Sequence, residues 1–180
     1  MTEPLSLRVH PGTPSTAVDR VEVEIERGEA SLTLRYQVIG DLARLRLPNF
    51  ARTGRADGLW RSTCFEVFVK PEGGEGYLEC NFAGLQWATY RFSGYREGMI
   101  EAAVEPGVIE GSIDWLSIGI ETGRFARPDL PAPAWRVGLS AVIEDIDGGV
   151  SYWALAHPPG KPDFHHPDSF ALVLPAPEQT

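Results

Sequence analysis

Residues 64–83, CFEVFVKPEGGEGYLECNFA, decide the fold. Two apolar-rich runs flank PEGGEG (71–76), a loop dense in glycine, so strand 64–70 is predicted to fold back on 77–83. With Lys70 opposite Tyr77, Phe65 meets Phe82, Val67 meets Cys80 and Val69 meets Leu78. The apolar residues of both strands then collect on one face, apart from Phe68. The other face carries Glu66 opposite Asn81 and Phe68 opposite Glu79. A slip of one residue would scramble both faces, so the pattern specifies its own register.

The next run, LQWATYRF (85–92), can be laid on by the same test. Pairing Leu78 with Phe92, Cys80 with Tyr90 and Phe82 with Ala88 continues the apolar side. That alignment puts Arg91 beside Glu79 and Thr89 beside Asn81. The expected polar face is therefore Glu66, Glu79, Asn81, Thr89 and Arg91, bordered by Trp60 and Trp87. Carboxylate, amide and guanidinium groups bind hydroxyls, and indole rings offer flat apolar surfaces. A pyranose, with polar edges and C–H faces, needs that combination. The same set also forms ordinary cross-strand ladders in solvent, with the tryptophans capping the core edge.

Period-two alternation extends outward from this hairpin. VEVEIE (21–26) and SLTLRYQV (31–38) alternate apolar and polar residues, as half-buried strands do. Further strands are expected near 43–47, 99–104, 115–121, 135–144, 150–157 and 170–174. GRFARPDLPAPA (123–134) reads as a surface loop. Asp147-Gly148 is expected to close a hairpin pairing Val142 with Trp153. No window of 12 residues has a helical face, and about ten short strands at close spacing predict an all-β, immunoglobulin-like antiparallel β-sandwich, one domain over residues 1–180.

Composition narrows the function. The chain has 180 residues and a net charge of -9, so it lacks the basic stripe that nucleic acid requires. No apolar run approaches membrane length. The N-terminus shows no secretory signal pattern, and the two cysteines, Cys64 and Cys80, suit reduced thiols; a cytoplasmic location is the expectation.

The core strands resemble the DOMON superfamily, specifically the branch related to family 9 carbohydrate-binding modules. The resemblance is carried by LWRSTCFEVFV (59–69), YLECNF (77–82), YREGM (95–99), SYWALAHP (151–158) and GKPDFHHPDSF (160–170). It covers most of residues 50–174. It implies an immunoglobulin-like sandwich that binds sugars or haem, with two aromatics clasping the sugar and polar groups holding its hydroxyls. Carried over, Trp60 matches the first clasping aromatic and Glu66 a hydroxyl-binding carboxylate. Asn81 and Arg91 occupy polar positions, and Trp153 is the candidate for the second aromatic. The chain departs from the family at Cys64, where an Asp is common.

HPPGKPDFHHPDSF (157–170) holds three of the four histidines with Asp163 and Asp168, which suits zinc-like chemistry. Adjacent His165 and His166 point in opposite directions on an extended chain, so a rigid loop is the favoured reading, with Asp163 and His165 at the ligand mouth. Haem needs an axial pair, and nothing fixes a histidine opposite Met99, so no cofactor is expected. Glu66 and Glu79 are expected to stay ionised beside their partners, which suits binding more than catalysis. The sequence thus predicts a module for a small polar ligand, a sugar foremost. An enzyme or accessory subunit acting on a sugar-like substrate and a protein-interaction domain are the alternatives.

Overall fold

The computed structural model describes residues 3–29, 31–112, 114–121 and 134–177, and the backbone alone for 116–121. The loop read at 123–134 lies outside the described residues, apart from Ala134. The described residues form thirteen strands: β1 (Leu5–Val9), β2 (Val18–Arg27), β3 (Ser31–Gly40), β4 (Thr53–Arg55), β5 (Cys64–Pro71), β6 (Tyr77–Ala83), β7 (Leu85–Phe92), β8 (Ile100–Glu101), β9 (Pro106–Gly111), β10 (Trp115–Glu121), β11 (Trp135–Glu144), β12 (Val150–Ala154) and β13 (Leu172–Leu174). The protein is an all-β sandwich, antiparallel except where β4 runs parallel to β7.

One layer has the order β9-β10-β3-β2 and the other β4-β7-β6-β5-β11-β12. Strand β1 belongs to both. Its first half, Leu5 to Leu7, pairs with β2, and Arg8 and Val9 pair with β12. The alternation in VEVEIE and SLTLRYQV turns Val21, Val23, Leu32, Leu34 and Tyr36 inward, all fully buried. They meet Val67, Cys80, Phe82, Val137, Leu139 and Trp153 from the other layer. Tyr36 satisfies its hydroxyl in this core by donating to the Glu66 carbonyl at 2.6 Å.

The second layer is covered on its outer face too. Phe68, Tyr77, Ala88, Tyr90, Phe92 and Val142 pack there with Phe164 and Phe170 of the 157–170 segment. That explains why β6 is buried along its whole length. Segment 157–170 is laced in place by hydrogen bonds within itself and to Arg8 and His10. Asp163 accepts from the His165 N–H and, through its carbonyl, from Ser169 Oγ at 2.8 Å. His157 Nε2 meets the Arg8 carbonyl at 2.8 Å and His10 Nε2 meets that of Gly160 at 2.9 Å.

Some expected strands differ. Residues 43–47 hold a 3-10 turn at Leu42–Arg44 and a single bridge at Leu45. The strand expected at 99–104 is only Ile100–Glu101, and Pro106–Gly111 forms a strand the alternation did not announce.

Candidate functional site

The β5–β6 register is the one the hairpin pattern predicts: Phe65 faces Phe82, Glu66 faces Asn81, Phe68 faces Glu79 and Val69 faces Leu78. The β6–β7 register is one residue away from expectation. Glu79 faces Tyr90, Cys80 faces Thr89 and Phe82 faces Trp87. The cause is the turn. Ala83 pairs with Gln86, so Gly84 and Leu85 form a two-residue connection, with Gly84 at φ 60°. A lone positive φ at the first central residue is the type II′ pattern, which wants glycine there.

That one-residue difference sorts the expected site residues. Arg91 moves to the opposite face and is exposed, and Thr89 turns inward, donating to the carbonyls of Ala102 and Val104. Trp87 packs half-buried against the main core. Tyr90 and Phe92 take the places assigned to Arg91 and its neighbours. A second slip corrects Trp153: Val142 pairs with Tyr152, because residues 145–149 form a five-residue loop in which Asp145 Oδ1 accepts from the Asp147 and Gly149 N–H groups. Trp153 therefore faces Ala141 in the core, its Nε1 donating to Ser151, and Tyr152 faces outward toward Phe164.

A cavity of about 480 Å³ opens over this face. Glu66 and Glu79 lie at its floor, and Trp60, Tyr90, Phe92, Tyr152 and Phe164 form its walls. Met99, Arg96, Val142, Pro162 and His165 complete the lining. Of the expected residues, Trp60, Glu66, Glu79 and His165 thus come together. Asn81 is fully buried and supports Glu79, its Nδ2 donating to Oε1 at 2.8 Å. Asp163 holds Arg96 (2.8 Å) and bonds the Tyr95 hydroxyl.

The walls are fixed by local chemistry. Trp60 sits in the 3-10 turn Leu59–Arg61, after Gly58 at φ 74°, and meets Tyr90 edge-on with ring centres 6.1 Å apart. Tyr90 donates its hydroxyl to Asp57 at 2.6 Å, and Asp57 is paired with Arg55 at 2.8 Å. Arg96 has φ 55°, the one non-glycine residue with positive φ among those described. A side chain held in that region costs about 1 kcal/mol or more and survives where its surroundings dictate it. Here the Arg96 N–H donates to the Tyr77 hydroxyl and its guanidinium is held by Asp163.

The electrostatics differ from the sequence expectation. Glu66 is 3% exposed, and its one described side-chain bond is from Ser140 Oγ at 3.4 Å. Burial pushes its pKa well up, and the Glu79 charge pushes the same way. Burial raises Glu79 as well, opposed by the Asn81 bond and by Arg96. With Arg91 off this face, the cation expected to hold the Glu66 charge is absent, and both influences on Glu66 favour its neutral form. Burial, assisted by the Arg96 charge, lowers His165 to about 4. The Tyr77 hydroxyl, already accepting from Arg96, gives its own proton to His165 Nδ1 at 2.8 Å. We assign the imidazole proton to Nε2, which points toward Glu79 Oε2 at 3.7 Å. Among the described residues, no three His, Cys, Asp or Glu side chains are placed to share a metal ion.

Sequence reasoning missed Tyr90, Phe92, Arg96, Tyr152 and Phe164. Glycine at position 84 was the signal for the first two. Tyr152 follows from the loop length at 145–149, and Phe164 and Arg96 arrive by tertiary contact alone.

No protein-family model matches the sequence, and no curated protein sequence matches it. Among solved structures, a candidate carbohydrate-binding protein from Bacteroides uniformis ATCC 8492 is similar, with a TM-score of 0.63 at 17% identity, over 93% of this chain and 82% of that one. At that identity the likeness shows the fold, a β-sandwich shared across nearly the whole chain.

Proposed function

We propose that this protein binds a small carbohydrate in the cavity between Trp60 and His165. The observation that carries the reading is the joining of two buried carboxylates to an aromatic wall inside about 480 Å³, a volume within the usual range for small-ligand sites. A sugar ring presents C–H faces to Trp60 and Tyr90 and hydroxyls to Glu66 and Glu79. The carboxyl oxygens of Glu66 and Glu79 accept from ring hydroxyls, so both acids find partners on one sugar. The description of the Bacteroides protein as a candidate for carbohydrate binding points the same way.

Calorimetric titration of a monosaccharide and disaccharide panel tests this. Trp60→Ala removes stacking area; at ~25 cal/mol per Å², some tens of Å² correspond to roughly tenfold weaker binding. Arg91→Ala, on the other face, should leave affinity unchanged. Undiminished binding by Trp60→Ala, or a loss confined to Arg91→Ala, would place the site elsewhere.

A catalytic reading draws on one feature, the neighbouring carboxylates of raised pKa, which resemble an acid–base pair. Release of nitrophenol from aryl glycosides, abolished by Glu66→Gln, would establish it.

A further inference from the structure

The floor of the cavity is rich in acceptors and poor in donors. Glu66 Oε2 receives only the long bond from Ser140, and Oε1 receives none of the described hydrogen bonds. Glu79 Oε1 is supplied by Asn81, but Oε2 has only the imidazole at 3.7 Å, beyond hydrogen-bond length. Asn81 Oδ1, on the strand position facing Glu66, is buried with no partner. Of these acceptors Asn81 Oδ1 is the fully buried orphan; buried acceptors are nearly always satisfied, so this acceptor-rich floor calls for a group that is not part of the chain.

That group must bring several donors and positive charge. The titratable groups around the floor are Glu66 from β5, Glu79 from β6, Tyr90 from β7, Tyr152 from β12, and Arg96 and His165 from the covering loops. Tyr77, Asp163 and Cys64 stand behind them. Arg96 is the one permanent cation of the set, and Asp163 already meets its charge at 2.8 Å. His165 is neutral. The rings of Trp60, Tyr90, Phe92 and Phe164 surround the opening to the carboxylates. Rings over buried acids favour an ammonium, which offers three donors and is drawn to the faces of aromatic rings. A hydroxyl offers one neutral donor, whereas one ammonium can bond both acids at once and brings the charge that an ionised carboxylate lacks.

The geometry points to a ligand bearing a protonated primary amine, so that among carbohydrates the protein selects amino sugars and seats the ammonium between Glu66 and Glu79. This deepens the carbohydrate reading and rests on it. The ammonium pairs with the two carboxylates, and any proton that burial keeps on Glu66 passes to solvent as the pair forms. No bond forms to the ligand.

Calorimetric titration with glucosamine, glucose, N-acetylglucosamine and 1,5-diaminopentane, below the pKa of the amines and in two buffers of different ionisation enthalpy, tests this. Glucosamine should bind at least roughly tenfold tighter than glucose or N-acetylglucosamine, with proton release read from the buffer dependence. Glu66→Gln, or Glu79→Gln if the first fails to fold, should bring that ratio toward one while glucose still binds. Glucose binding as tightly as glucosamine overturns the amine inference and leaves the carbohydrate reading standing. Binding of the diamine alone keeps the ammonium seat and overturns the carbohydrate reading. Failure of all four overturns both.

Discussion

Glu66→Gln should make the protein more stable, and the gain should depend on pH. The carboxyl is enclosed on strand β5 between Asn81 and Ser140, and its pKa is pushed well above the ordinary 4.5 by burial first and by Glu79 second. An acid whose folded pKa is raised holds its proton in the native state and loses it on unfolding. Stability is therefore complete below about 4.5 and declines as pH rises toward the folded-state pKa. Retaining the proton at pH 7 against an unfolded value of 4.5 costs at most about 3 kcal/mol, at 1.36 kcal/mol per pH unit. Glutamine has nearly the same shape, can still accept from Ser140, and has no proton to lose. The variant should gain up to about 3 kcal/mol at neutral pH, equivalent to roughly 2–4 °C in Tm for each kcal/mol in a chain of this size. The gain should vanish near pH 4. Urea unfolding of both proteins across pH 4 to 8 measures it. A difference that stays constant with pH would mean Glu66 ionises as it does in water, and the desolvated floor would have to be abandoned. A sequence reading with Glu66 on an open face expects almost no change, so the two views separate cleanly.

Two further outcomes follow from single positions. Gly84→Ala places a Cβ 3.0 Å from the Asn49 carbonyl at φ 60°, so it should cost more than about 1 kcal/mol in thermal or urea unfolding; an unchanged midpoint would remove the turn as the cause of the β6–β7 register. His165, lowered to about 4 by burial and Arg96, should remain neutral at pH 5 in an NMR titration of its ring. Because its folded pKa lies below the unfolded value of 6.5, its contribution is full above 6.5 and is lost as pH falls toward 4. A ring titration midpoint near 6.5 would mean that His165 lies in solvent.

On the proposed reading, stability yields to function at this cavity. Two acids and an amide at the centre of a sheet would pack better as apolar residues, and Arg96 adds backbone strain at the rim. Such local conflicts concentrate at binding sites, where the ligand supplies the missing partners. The free thiols Cys64 and Cys80, both fully buried, are held protonated by the same burial. Among the described residues, no helix is long and apolar enough to cross a membrane.

The sequence by itself determined the sandwich and its central hairpin. Alternation at Val21–Ile25 and Leu32–Val38 allows one inward face only, and PEGGEG leaves strand 64–70 one partner register that keeps Phe65, Val67 and Val69 with Leu78, Cys80 and Phe82. Glu66, Glu79 and Asn81 follow onto a common face because side chains alternate by two. Tertiary structure decided the rest. Strands 85–92 and 150–154 each have apolar residues at both parities, since they are covered on both faces, so hydrophobicity could not choose between adjacent registers. The turns at Gly84 and at 145–149 chose instead. They sent Arg91 and Trp153 away and brought in Tyr90, Phe92 and Tyr152. Whether the face is open or enclosed depends on 157–170 folding back over it, with Phe164 and His165 against strands some 70 to 100 residues earlier. Long-range contact of that kind leaves no period in the sequence, and it is what turned a polar ladder into a desolvated cavity.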